Sequence, residues 1–141
     1  MRFASGLSSP VYLTAAPGDL SRVFVAENSG QIQILDADTG VRRPAPFLTL
    51  PAGSGLLAMT FHPGYASNGH FFVWYQDASG GCHLDRYTRS AGNPDLADAA
   101  SVHTVLYLAT SPGHAGGYVF TELDDPDYLA ILAWIEAGEY E

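Results

Sequence analysis

The stretch that most limits the fold is GSGLLAMTFHPGYASNGHFFVWYQD, residues 53 to 77. Leu56 to Phe61 reads as an apolar strand, His62-Pro63-Gly64 as a turn, Ala66 to His70 as a polar loop, and Phe71 to Tyr75 as a second apolar strand. Aromatic and β-branched residues bounded by Gly, Pro and Asn form a strand–loop–strand pattern. Residues 11 to 28, VYLTAAPGDLSRVFVAEN, carry a weaker copy. Pro17-Gly18 falls on Pro63-Gly64 at a shift of 46, Val23-Phe24-Val25 on Phe71-Phe72-Val73 at 48, and Ser29-Gly30 on Ser79-Gly80 at 50, after which Ile34 falls on Leu84. A drifting period of this length, filled with four short strands, marks the blade of a β-propeller. Two unrelated hairpins in a sandwich are the alternative.

In order along the chain, Val11 to Ala15, Val23 to Ala26, Gln31 to Leu35 and a short outer strand at Phe47 to Leu50 make the first blade. Leu56 to Phe61, Phe71 to Tyr75, His83 to Thr88 and His103 to Leu108 make the second, with residues 90 to 100, SAGNPDLADAA, as a polar excursion. Asp36-Ala37-Asp38-Thr39-Gly40 invites a calcium reading, but it lacks the distal Glu of an EF-type loop; a hairpin turn is the plainer account. His62 reads as structural, and His70, His83 and His103 have no spacing that suggests a shared metal.

The tail changes period. Asp125 suits a helix cap and Pro126 the first helical position. Tyr128, Ile131, Leu132 and Ile135 then recur at helical spacing, and Gly138 ends the run. A helix over 126 to 137 is expected, packed back on the blades through its wide apolar face. The expected fold class is therefore mainly β: about two four-stranded blades of a partial propeller over residues 1–108, then a GHAGG loop and one C-terminal α-helix over 109–141.

Composition narrows the function. The 141 residues are 47% apolar and 15% charged, which is globular rather than disordered. Net charge is −9, and the six bases are all Arg, which argues against nucleic acid and anionic membrane surfaces. No apolar run is long enough to span a membrane. Seven acids and no base lie between Glu122 and Glu141, so blades and tail differ in character. Cys82 is the sole cysteine, which excludes an intrachain disulfide and leaves the redox compartment open. Two blades without neighbours expose an open edge, which offers a route to self-association.

The text FASGLSSPVYLTAAPGD, SRVFVAENSGQIQIL, GLLAMTFHPGYASNGHFFVWY and LDRYTRS with NPDLADAAS, spanning residues 3 to about 108, resembles the opening of the soluble PQQ-dependent sugar dehydrogenases, the glucose/sorbosone dehydrogenase-like six-bladed propellers. The resemblance covers roughly the first two blades. It implies an oxidoreductase acting on a small sugar, with PQQ as cofactor, an electron-acceptor protein as partner, and a periplasmic or secreted location. No signal peptide precedes the blade-like text, which suggests a trimmed or mis-started N-terminus.

By the same resemblance, His114 in GHAGG matches the family's general base, which takes the proton of the sugar's anomeric hydroxyl while hydride passes to PQQ. An imidazole suits that task because its ordinary pKa lies near neutrality. The family's Gln before GLL is replaced by Gly53, and the residues that grip PQQ and calcium belong to later blades. This chain is therefore expected to bind PQQ weakly and not to turn over. The last 35 or so residues resemble the end of a bacterial haem c domain, which offers a second reading of His114; an ordinary loop histidine is a third. Haem attachment needs C-x-x-C-H, and Ser79-Gly80-Gly81-Cys82-His83 lacks the first cysteine, so haem is not expected. Besides an oxidoreductase fragment, two readings stay open: a non-catalytic propeller-type binding module, and a truncated or recombined reading frame.

Overall fold

The computed structural model describes residues 4–109. Among these, eight strands form two four-stranded antiparallel sheets in sequence order. The first sheet is β1 (Pro10–Thr14), β2 (Arg22–Glu27), β3 (Gln31–Asp36) and β4 (Leu48–Thr49); the second is β5 (Gly55–Phe61), β6 (His70–Gln76), β7 (Cys82–Arg89) and β8 (Ala97–Leu108). A single helical turn, α1 (Tyr65–Asn68), joins β5 to β6. The protein is thus mainly β, with two blade-like sheets. The expected pairing of 56–61 with 71–75 is present, with Phe61 opposite Phe71 and Leu56 opposite Tyr75.

The repeat read from the sequence is a repeat of geometry. Gly30 N–H bonds Glu27 C=O at 3.0 Å and Gly80 N–H bonds Asp77 C=O at 3.1 Å, with φ of 89° and 95° at the two glycines. Both β-turns need a residue in the left-handed region, which is why glycine recurs there. Because the shifts are even, the facing of side chains is kept. Phe24, Ala26, Ile32 and Ile34 of the first sheet pack against Leu56, Phe61, Phe71 and Val73 of the second. Phe72 and Trp74, the partners of Phe24 and Ala26 by a shift of 48, lie on the opposite face of the second sheet. A stacked array of like sheets requires this alternation.

The core between the sheets is a chain of aromatic rings. Phe24 meets Phe47 and Phe61 edge-on at centroid distances of 5.0 and 4.8 Å, and Phe47 reaches Phe71 at 4.9 Å. Each such pair adds about 0.5–1.5 kcal/mol beyond area burial.

Three expectations need correction. The polar loop at 66–70 contains α1, bounded by Gly64 and by Gly69 at φ 67°. The His62 ring explains it: Nδ1 accepts the Gly64 N–H at 2.9 Å and lies 2.9 Å from Asn68 Nδ2. The first copy of this turn, at Ala16 to Asp19, uses Gly18 at φ 76° instead and has no helix. Next, β8 begins at Ala97, inside the expected excursion. It is an edge strand, largely open to solvent over Asp98 to Thr104, so no apolar alternation advertised it. Finally, β4 is only two residues long, although Phe47 N–H and Leu50 N–H still bond Ile32 C=O and Gly30 C=O on either side. The expected helix at 126–137 lies outside the described residues.

Candidate functional site

His114 lies outside the described residues. The strand before it is described: β8 ends with Leu108 opposite Cys82, at the same end of the sheet as the β6–β7 hairpin. Gly53 also lies towards that end, just before β5. Its φ is 85°, and a Cβ there would stand 3.0 Å from the Ala78 methyl. A glutamine at this position is therefore opposed by the backbone as well as by the space available. The DADTG segment is a hairpin turn in which Asp36 Oδ1 accepts from Thr39 N–H at 2.8 Å and Thr39 O–H at 2.7 Å. Those bonds, the hydroxyl's first, hold the Asp36 carboxyl below its usual range.

The fold assembles a polar cluster that sequence reasoning missed. Asp77 opens the β6–β7 turn, and its Oδ1 accepts from Ser79 O–H, Ser79 N–H and Gly81 N–H at 2.7, 2.8 and 2.9 Å. Its other oxygen lies 3.0 Å from His83 Nε2. The Ser79 hydroxyl, then His83, holds the Asp77 carboxyl well below the usual range. A carboxylate only accepts, so His83 Nε2 carries a proton toward Asp77. The His83 ring stacks on Tyr75, its cross-strand partner, at 4.8 Å and 6°. Tyr107 closes the other side at 4.7 Å.

Asp85 lies one step inward on the same face of β7. It is 2% exposed, and its Oδ2 accepts the Tyr75 O–H at 2.8 Å. Burial, then this bond, raises the Tyr75 pKa, and burial beside Asp85 pushes Tyr87 up to about 12. Two buried atoms of the cluster have no hydrogen-bond partner among the described residues, Asp85 Oδ1 and His83 Nδ1, and they stand 4.0 Å apart. The one available signal was period two, which puts His83, Asp85 and Tyr87 on one face of the strand; the packing of the sheets buries that face.

Asp85 and His83 line a groove of about 510 Å³ between the sheets, walled by Leu48, Leu50, Pro51 and Val102. The groove exists because β4 is too short to cover β7 and β8. A second cleft of about 520 Å³ lies near the opposite end, under the Ala16 to Asp19 turn and beside Tyr65 and Arg89. There Arg22 bonds Asp19 at 2.6 Å and Asp95 at 2.8 Å, so much of the local charge is already paired. Among the described residues, no three His, Cys, Asp or Glu side chains are grouped to hold a metal ion. No described helix is long and apolar enough to cross a membrane.

Known proteins place this geometry. The PQQ-bound aldose sugar dehydrogenase from Streptomyces coelicolor superposes with a TM-score of 0.59 and 26% identity, over 73% of this chain and 31% of that one. The chain is similar to part of a sugar dehydrogenase propeller. A glucose dehydrogenase at 16% identity and a TM-score of 0.61, covering 76% of this chain and 32% of its own, supports the fold alone. Among curated sequences, the mouse hedgehog-interacting protein is 28% identical over 147 aligned positions, 90% of this chain. The chain spans 21% of the length of that relative. No family model matches. The resemblance of the tail to a haem c domain finds no support in these comparisons.

Proposed function

We propose that these residues are the opening blades of a sugar-oxidising, PQQ-type dehydrogenase, and that the 141 residues alone do not turn over. The observation that carries this reading is the superposition of both sheets, at 26% identity, on a PQQ-bound aldose sugar dehydrogenase. In this reading His114 is the general base, a small sugar is the substrate, an electron-acceptor protein takes the electrons, and the protein is periplasmic or secreted. PQQ would supply the hydride acceptor. Gly53 in place of the resembling family's Gln, and the small arc that two sheets subtend, both favour weak binding by this chain alone.

Two measurements test this. Calorimetric titration of the chain with PQQ, with sugar-dependent dye reduction, is expected to show neither tight binding nor turnover; stoichiometric tight binding would refute the incompleteness. Sequencing the flanking DNA is expected to reveal further blades in frame. Their absence would sink the dehydrogenase reading.

A second reading has its own support. The relative matched over 90% of the chain is a hedgehog-interacting protein, so the same sheets also suit a non-catalytic binding module. Further in-frame blades without basic side chains for an anionic cofactor would favour it.

A further inference from the structure

The β5–β6 connection holds two neighbours that can react with each other. Of the chain's asparagines, Asn68 alone precedes a glycine. With no side chain to shield it, the Gly69 nitrogen can approach the Asn68 side-chain carbonyl carbon closely. In that reaction the Gly69 nitrogen gives up its proton and bonds to Asn68 Cγ, the Cγ–Nδ2 bond breaks, and ammonia leaves. Water then opens the cyclic imide at one carbonyl or the other. The product at 68 is aspartate, or isoaspartate with an added methylene in the main chain.

The folded turn withholds both reacting groups. Gly69 is buried and its N–H donates to Tyr65 C=O at 2.9 Å, so the nucleophile is occupied. The Asn68 amide is pinned at both ends. Its Oδ1 accepts the His70 N–H at 2.8 Å, and its Nδ2 lies 2.9 Å from His62 Nδ1. Two backbone donors fix these roles. A backbone N–H only donates, so the oxygen of Asn68 faces His70 and its nitrogen faces the ring. Gly64 N–H points at His62 Nδ1 from 2.9 Å, so that ring nitrogen is an acceptor. One acceptor thus ties Gly64, ahead of α1, to Asn68 at its end, and holds the amide by its leaving group. The matching turn of the first sheet, Ala16 to Asp19, contains neither residue.

We propose that Asn68-Gly69 is a deamidation site, and that His62 is the positioning residue that keeps it closed in the folded protein. Either product undoes the turn. An aspartate at 68 has no N–H to give His62 Nδ1, and an isoaspartate shifts Gly69 N–H away from Tyr65 C=O. Tyr65 and Ala66 wall the cleft under the Ala16 to Asp19 turn, so the modification reshapes that cleft. The site is independent of the dehydrogenase reading.

The test incubates the full 141-residue chain at mildly alkaline pH, folded in buffer and unfolded in urea. Conversion at each asparagine is read by peptide mass spectrometry. Asn28, which precedes a serine in the β2–β3 turn, is the internal reference. Attack needs the turn to open, so the folded rate at Asn68 should lie at least about tenfold below the rate in urea. His62→Ala removes two hydrogen bonds of the closed turn and should raise the folded rate about tenfold, with Asn28 unchanged. His62→Asn, whose side-chain oxygen takes nearly the place of Nδ1, should restore most of the protection. Equal folded and urea rates in the parent chain overturn the proposal without any variant. So does an unchanged rate in His62→Ala, or a rise shared by Asn28, which would report loss of the whole fold. Failure of His62→Asn to slow the reaction again refutes the role of the acceptor.

Discussion

Replacing Phe24 by Ala tests whether the two sheets are one cooperative unit. Phe24 is fully buried between them, edge-on to Phe47 of its own sheet's connection and to Phe61 of the other sheet, with the Arg22 guanidinium 5.6 Å from its ring centroid. Removing a buried phenylalanine costs about 3–5 kcal/mol in transfer and cavity terms. Total stability of a domain is about 5–15 kcal/mol, so this single change removes a large share of it. At about 2–8 °C per kcal/mol for chains of roughly this size, the melting temperature should fall by at least about 6 °C. Leu20→Ala, at a position 91% exposed, is the control and should stay within about 0.5 kcal/mol. Urea unfolding followed by circular dichroism gives the free energy, and amide exchange in β6 reports the sheet that was not mutated. Loss of protection in β6 along with β2 is expected. A cost under about 1 kcal/mol, or intact β6 protection while β2 opens, would refute the idea that the aromatic chain welds the sheets together.

Tyr75→Phe strips Asp85 of the only donor it has among the described residues; a loss of about 1–3 kcal/mol is expected in urea titration. Gly53→Gln should lower the melting temperature, because φ of 85° and the 3.0 Å approach to Ala78 both oppose a side chain. An unchanged melting curve would mean the turn relaxes freely. Asp77 has a folded-state pKa below its unfolded value, so its contribution is present above the ordinary carboxylate pKa and is lost as pH falls through the depressed one. Thermal melts from neutral pH downwards should therefore show a shallower acid-side decline for Asp77→Asn than for the parent chain.

Much of the architecture was legible in the residues because it rests on local causes. Alternation along Gln31 to Leu35, turn glycines at Gly30 and Gly80, and the even shift between copies are written in neighbouring positions, and antiparallel hairpins follow from them. The pairing of β5 with β6 and the structural role of His62 were readable for the same reason. Tertiary structure alone decided the rest. The first half of β8, from Ala97, is held by the edge of β7 and by a bond from Ala97 N–H to Phe47 C=O at 2.8 Å, a contact between residues fifty apart in sequence. Asp85 reads in the sequence as one more surface acid between Leu84 and Arg86. It is buried because β7 is an inner strand whose face is turned toward the first sheet. Long-range packing of this kind leaves no period in the chain, since residues of both repeats wall the groove beside Asp85.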